Sequence, residues 1–345
     1  MIDTIAIGRF AAACGLIGLA GVVSNIMILM LHPLLRRYVL ARPNPRSSHS
    51  VPTPQGGGIA VVIATLGVTL AIIWVGRKFG SDTASYVWPA CAATAIIALV
   101  GAVDDIRPIP IAPRLLLQML CVIAVVAALP AQLHVVPLLP FWIERALLVL
   151  AGVWFVNLVN FMDGIDWMTV SEVVPVTIGL ALLAQLSGDM PAPVNFVALA
   201  LCGAILGFAP LNKPVARLFL GDVGSLPIGL LLFWLLALVA ASGHLAAALI
   251  LPLYYLADAG LTLLRRIVNG EPFWQAHRTH FYQRATDRGF TVLEVVARVF
   301  AINVVLVALA CLTVINPGVN SAIVALAISA MLVGLLLLHF SRGKK

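Results

Sequence analysis

Asp104 and Asp105 are adjacent in the stretch VDDIRPIPIAPR, directly after an apolar run. Neighbouring residues of a helix point about 100° apart, so one carboxylate can approach a metal while the other accepts a proton or a hydrogen bond. The bland alternative is a solvated helix end with Arg107 as partner. Two acids that dip toward lipid are costly, which favours a chemical role. The stretch NLVNFMDGIDWMTVSE supplies Asn157, Asn160, Asp163 and Asp166. Spacings of three put Asn157, Asn160 and Asp163 along one helical face. Four oxygen-bearing side chains on a turn suit a hard cation or an array of sugar hydroxyls, whereas capping explains only one or two of them.

APLNKPVARLFLGDVGSLPIG carries Asn212, Lys213, Arg217, Asp222 and Ser225. Asp222 lies between Gly221 and Gly224 just before an apolar run, so it is either an N-cap or part of a place where phosphate or metal approaches a helix N-terminus. EPFWQAHRTHFYQRATDRGFT holds His277, Arg278 and His280, with Arg284 and Arg288 beyond them. No Cys or third His stands near HRxH, so no zinc centre is expected. Arg and His on such a loop suit pyrophosphate recognition, and the alternative is a juxtamembrane basic patch. RPNPRSSHSVPTPQGGGIA adds Arg42, Arg46 and His49, then Gly56, Gly57 and Gly58, whose backbone can wrap phosphate.

The elements that position these residues are membrane helices. Of 345 residues, 62% are hydrophobic and 10% charged, with a mean hydropathy of +1.07. Soluble domains carry roughly 25% charged residues. Runs long enough to cross a ~30 Å hydrocarbon core fall near 10–34, 57–76, 86–103, 114–130, 145–160, 170–187, 194–210, 224–242, 244–264, 292–314 and 320–340. The expected fold is therefore an all-α polytopic membrane protein with about eleven transmembrane helices, residues 1–345 forming one integral-membrane domain. The first run reads as a retained helix rather than a cleaved signal peptide, and the five Cys read as small core residues.

With the N-terminus outside, only Arg9, Arg77, Lys78 and Arg145 of the 21 Lys and Arg fall on the outer side, as the positive-inside rule requires. The acids share this asymmetry although they contribute little to topology. Asp104, Asp105, Asp163, Asp166, Glu172, Asp222, Asp258, Glu271, Asp287 and Glu294 all fall on the inner side. A transporter or lipid flippase, the competing class, should instead show internal repetition and ionisable residues at mid-membrane. One-sided chemistry fits an enzyme whose soluble substrate arrives from the cytoplasm, and no nucleic acid is expected as a partner.

Taken together and in this order, PNPRSSHSVPTPQGGG, VDDI, NFMDGID, FLGDVGS and HRTHFYQR resemble the polyprenyl-phosphate N-acetylhexosaminyl-1-phosphate transferase family, most closely its O-antigen-initiating branch. The resemblance implies transfer of a sugar-1-phosphate from a UDP-N-acetylhexosamine to undecaprenyl phosphate, with release of UMP. It implies Mg²⁺, or Mn²⁺ in its place, and a bacterial inner-membrane location with the active site facing the cytoplasm; it also allows a homodimer. By motif, Asp104, Asp105, Asp163, Asp166, His277, Arg278 and His280 are expected to be catalytic, and Asp222 with Asp105 to meet the metal. Arg46, His49, Gly57, Asn157, Asn160, Asn212 and Lys213 are expected at the substrates. Asp105 is expected to position or deprotonate the lipid phosphate. Relatives usually carry Gly where this chain has Trp167, a departure expected to reshape the uridine or sugar pocket.

Overall fold

The computed structural model describes residues 4–41, 52–77, 84–272 and 277–344, and it is almost wholly helical. In chain order the elements are α1 (Thr4–Tyr38), β1 (Leu40–Ala41), β2 (Thr53–Pro54), α2 (Gly58–Arg77), α3 (Ala84–Ile106), α4 (Ile111–Ala127), α5 (Phe141–Met162), α6 (Met168–Ser187) and α7 (Ala192–Phe208). They continue with α8 (Asp222–Val239), α9 (Leu245–Ile250), α10 (Leu253–Val268), α11 (Phe281–Asp287), α12 (Val292–Ile315) and α13 (Val319–Arg342). Eight helical stretches are long and apolar enough to cross a membrane, while α4 and α7 are shorter apolar helices of the same character. The chain is a multi-pass membrane protein.

Helix α8 is the axis of the bundle. Every residue from Val223 to Val239 is buried, as expected of a helix that is apolar all round and therefore surrounded by other helices. It packs against α3 and α5. In contrast, α1 and α13 expose rows of large apolar side chains, including Leu29, Met30, Leu335 and Leu338, to the lipid side.

The expected helix 244–264 is not continuous. Gly243, just before that stretch, takes a left-handed φ of 87° in the segment joining α8 to α9, and inside the stretch Pro252, which has no N–H to continue a helical ladder, separates the six-residue α9 from α10. The sequence showed an apolar average there and hid the break. Past it, α10 carries Asp258, Thr262 and Arg266 buried and Leu261, Leu264 and Val268 exposed.

Helix ends from distant parts of the chain meet at one face. Phe219 donates its N–H to the Pro54 carbonyl, while Gly57 and Gly58 donate theirs to the carbonyls of Phe219 and Leu220. These bonds join the start of α2 to the approach of α8. The end of α13 reaches the loop after α11, where Lys344 donates its backbone N–H to the Arg288 carbonyl. The ends of α3, α5 and α7 meet the same face.

Candidate active site

Asp105 lies in the last turn of α3, and its carboxylate faces the start of α8. Oδ1 accepts the backbone N–H of Asp222 at 2.9 Å and Oδ2 that of Val223 at 3.1 Å. The first N–H groups of a helix have no partner inside it, and a negative charge there is also favoured by the helix dipole. Gln55 donates its side-chain amide to the same carboxylate at 2.9 Å. Gly221 makes the approach possible: it adopts a φ of 78°, and a Cβ there would run into the Asp105 carboxylate. The GD of FLGDVGS is thus a glycine that admits Asp105 followed by the residue that Asp105 positions.

Asp222 receives the Asn160 amide at Oδ1, 2.8 Å away, and Asn160 also donates to Ser225 Oγ at 2.9 Å. Its other oxygen stands 3.7 Å from the Arg114 guanidinium. Arg114 binds Asp104 at 2.7 Å, and Asp104 accepts the Ile109 N–H at 2.6 Å. The two adjacent acids therefore diverge, Asp104 toward α4 and Asp105 toward α8. The partner of Asp104 is Arg114 rather than the Arg107 of the bland alternative, because the chain turns back after Ile109.

Asp163 follows the last residue of α5 and accepts the Thr169 hydroxyl. Burial pushes its carboxyl up to about 7; the Thr169 bond opposes the rise, and the negative charges of Asp222, Asp105 and Asp166 add to it. Asp166, expected to carry chemistry, holds a loop: its Oδ2 accepts the Ala216 N–H at 3.0 Å. Asn212 acts from the other side of that loop. It accepts the Trp167 N–H at 2.8 Å and donates to the Leu218 carbonyl at 3.0 Å. Trp167 itself sits at φ 59°, in the left-handed region, where a glycine is the easy choice. Its indole offsets part of that strain by donating to the Ala209 carbonyl at 2.7 Å and by packing on the core. The tryptophan therefore ties the turn after Asp166 to the end of α7.

The histidine motif docks beneath this cluster. Asp258, fully buried in α10, accepts the N–H groups of Phe281 and Tyr282 at 2.9 and 3.1 Å and the Tyr254 hydroxyl at 3.1 Å. His280 Nδ1 stands 3.3 Å from the same carboxylate, and the His277 ring stacks on His280 with centroids 4.9 Å apart. Tyr282 donates its hydroxyl to the Phe161 carbonyl at 3.0 Å, two residues before Asp163. Arg278 pairs with Asp287 at 3.1 Å.

Some expectations fall elsewhere. Asn157 shares the helix face of Asn160 but turns its amide to Gln118 on α4, 2.7 Å away, inside the core. Gly57 wraps no phosphate with its N–H, which Phe219 takes; a Cβ there would also strike Phe208 and Leu218. Lys213 is exposed on the loop that Asn212 holds. Arg46 and His49 lie outside the described residues. Sequence reasoning missed Arg114, Gln55 and the anchoring role of Asp258. The signal for Asp258 was its place in an apolar segment, where a lone acid needs donors.

Among the described residues, no three His, Cys, Asp or Glu side chains form a complete metal ligand set. Asp222 nevertheless belongs to a cluster of acids with Asp104, Asp105 and Asp163. A hard oxygen site with one or two protein carboxylates suits Mg²⁺, which keeps waters and takes further ligands from substrate phosphates.

Residues 87–240, which span Asp104 through α8, match the family model of glycosyl transferase family 4. A probable undecaprenyl-phosphate N-acetylglucosaminyl 1-phosphate transferase of Bacillus subtilis (strain 168) is 25% identical over 309 residues, covering 83% of this chain and 83% of that protein. A decaprenyl-phosphate N-acetylglucosaminephosphotransferase of Mycobacterium leprae (strain TN) is 26% identical over 348 residues, covering 90% and 83%. Its namesake in Mycolicibacterium smegmatis is 25% identical over 346 residues, covering 90% and 84%.

Proposed function

We propose, from the match of residues 87–240 to glycosyl transferase family 4, the likeness to its relatives and the acid cluster, that the chain transfers an N-acetylhexosamine-1-phosphate from a UDP-sugar to undecaprenyl phosphate. UMP is the product released, and the step initiates a cell-surface glycan such as O-antigen. The reading rests above all on Asp222 at the start of α8, whose backbone N–H is held by Asp105 and whose carboxylate lies between Asn160 and Arg114.

An oxygen of the lipid phosphate attacks the phosphorus that bears the sugar. The bond from that phosphorus to the oxygen it shares with UMP breaks, and UMP leaves. A phosphate monoester has its second pKa near 6, so the nucleophile needs little deprotonation and the barrier is the meeting of two anions. Mg²⁺, held by Asp222, would lower that repulsion. Asp105, with both oxygens given to α8, positions Asp222 and is less suited than Asp163 to exchange a proton with the lipid phosphate. Asp163, with its carboxyl near 7, is matched to that exchange. Arg114, His277, Arg278 and His280 supply positive charge and donors to the transferring phosphoryl and to the diphosphate. Because the basic residues concentrate on the face that carries this cluster, the active site opens to the cytoplasm of a bacterial inner membrane.

The test is mass spectrometry of the lipid product formed from undecaprenyl phosphate and a panel of UDP-N-acetylhexosamines. A polyprenyl diphosphate sugar supports the reading and identifies the donor. Polyprenyl phosphate returned unchanged with every donor, by folded protein that still binds UDP-sugar, contradicts it.

A further inference from the structure

Between the C-terminal turns of α10 and the start of α11 lies a cavity of about 250 Å³, lined by Thr262, Arg265, Arg266, Glu271, Thr279 and Arg284. None of the six bonds to Asp104, Asp105, Asp163 or Asp222 among the described contacts. Its charges do not balance. Glu271 is taken by Arg266 at 2.8 Å, and among the described residues no carboxylate stands within ion-pair distance of Arg265 or Arg284. The Arg266 Nε is buried without an acceptor. Burial, and then repulsion from Arg265 and Arg288, pulls the Arg284 guanidinium below its ordinary pKa. An anion in the cavity would relieve all three effects.

The rim shows what carries the anion. Leu261, Leu264 and Val268 follow one another at spacings of three and four on α10 and are 48%, 57% and 78% exposed, so they form an apolar stripe next to Arg265. A stripe of this kind on an amphipathic helix lies against acyl chains at a membrane surface, and an arginine at its edge reaches for headgroups. A soluble anion has no use for the stripe, whereas a lipid uses both parts.

We propose that this cavity binds the phosphate of an anionic membrane phospholipid whose acyl chains lie along Leu261, Leu264 and Val268. Arg265 and Arg284 hold the phosphate, with Arg266 and the two threonine hydroxyls beside it. The cavity borders the histidine motif, since the Thr279 hydroxyl meets His277 Nδ1 at 3.0 Å, but phospholipid binding there does not depend on the transferase reading.

The test compares purified protein in phosphatidylcholine nanodiscs with and without phosphatidylglycerol, reading thermal stability and lipid retained in native mass spectrometry. Wild-type protein is expected to melt higher with phosphatidylglycerol and to retain it. Each of Arg265→Gln and Arg284→Gln should weaken retention about fivefold, from about 1 kcal/mol per basic residue at an anionic surface; the double variant should lose the stability gain. Should the double variant fail to fold, Arg265→Gln alone, at an exposed position, carries the test. Arg342→Gln, on the same face but away from the cavity, should change nothing. Three results would overturn the proposal: unaltered retention in the variants, an equal loss in Arg342→Gln, or the same stabilisation from inorganic phosphate in phosphatidylcholine alone. The second would mean diffuse attraction of a basic face, and the third a site for a soluble anion.

Discussion

Asp105 and Asp222 are 117 residues apart in the chain, yet the Asp105 carboxylate accepts the Asp222 backbone N–H at 2.9 Å and that of Val223 at 3.1 Å. One acid is thus held in place by another. Asp105→Ala leaves two amides of α8 without their acceptor, and hydrogen bonds to a charged group contribute about 1.5–3 kcal/mol each. The expected result is a clear fall in thermal stability together with loss of turnover. Asp105→Asn keeps one acceptor oxygen and should fall between. Thermal unfolding in detergent, paired with turnover on the same samples, checks the order.

Asp163 gives a pH dependence of known sign. Its carboxyl is raised to about 7 in the fold, against about 4 in an unfolded chain. The folded state therefore holds its proton more tightly, and this group's contribution to stability is lost as pH rises from about 4 through about 7. In metal-free buffer, Asp163→Asn should gain thermal stability over wild type across that window, and the gain should vanish at pH below about 4. Its turnover should be abolished. Wild-type kcat/KM should rise with pH toward a plateau above about 7, where the carboxylate is ionised.

Asp258 repeats the Asp105 device at α11, with the Phe281 and Tyr282 amides as its donors. Removing a buried carboxylate from such a set costs about 3–5 kcal/mol. Asp258→Ala should lose hydrogen-exchange protection first at residues 281–287, while α8 keeps its own. Turnover should fall because His280 loses its anchor. Equal loss of protection across both helices would indicate global unfolding and contradict the local role.

Trp167→Gly sets two effects against each other. Glycine removes a left-handed strain of about 1–2 kcal/mol. It also removes a large, partly buried ring and its bond to Ala209, and truncating a fully buried aromatic costs about 3–5 kcal/mol. The loss is the larger, so thermal stability should drop by an amount equivalent to about 1–3 kcal/mol. A gain in stability would show that the strain dominates.

Much of the site can be read in the sequence because an apolar chain has few places for acids. Asp104, Asp105, Asp163 and Asp222 had to stand at helix ends, and they do. What those ends do to one another depends on tertiary approach, which no local pattern encodes. Asp104 and Asp105 were expected to diverge, but only the fold shows Arg114 as the partner of one and the α8 amides as partners of the other. Periodicity put Asn157 and Asn160 on one face, yet Gln118 draws Asn157 into the core. Hydropathy averaged over 244–264 passed across Pro252 and gave one helix where the chain builds two. The glycines of PTPQGGG read as a phosphate wrap and serve close packing of α2 against the approach to α8. Trp167 read as a departure at the substrate pocket; its left-handed backbone became visible only with coordinates.

The central claim is that Asp222, held by Asp105, is the carboxylate through which a divalent cation assists phosphoryl transfer. Its most direct test is UMP release by purified protein given undecaprenyl phosphate and a UDP-N-acetylhexosamine, with Mg²⁺ or with EDTA, for wild type and Asp222→Asn. The account predicts release by wild type only with the metal, and a loss of about 10²–10³-fold or more in Asp222→Asn with folding retained. Undiminished release by Asp222→Asn, or by wild type in EDTA, would contradict it.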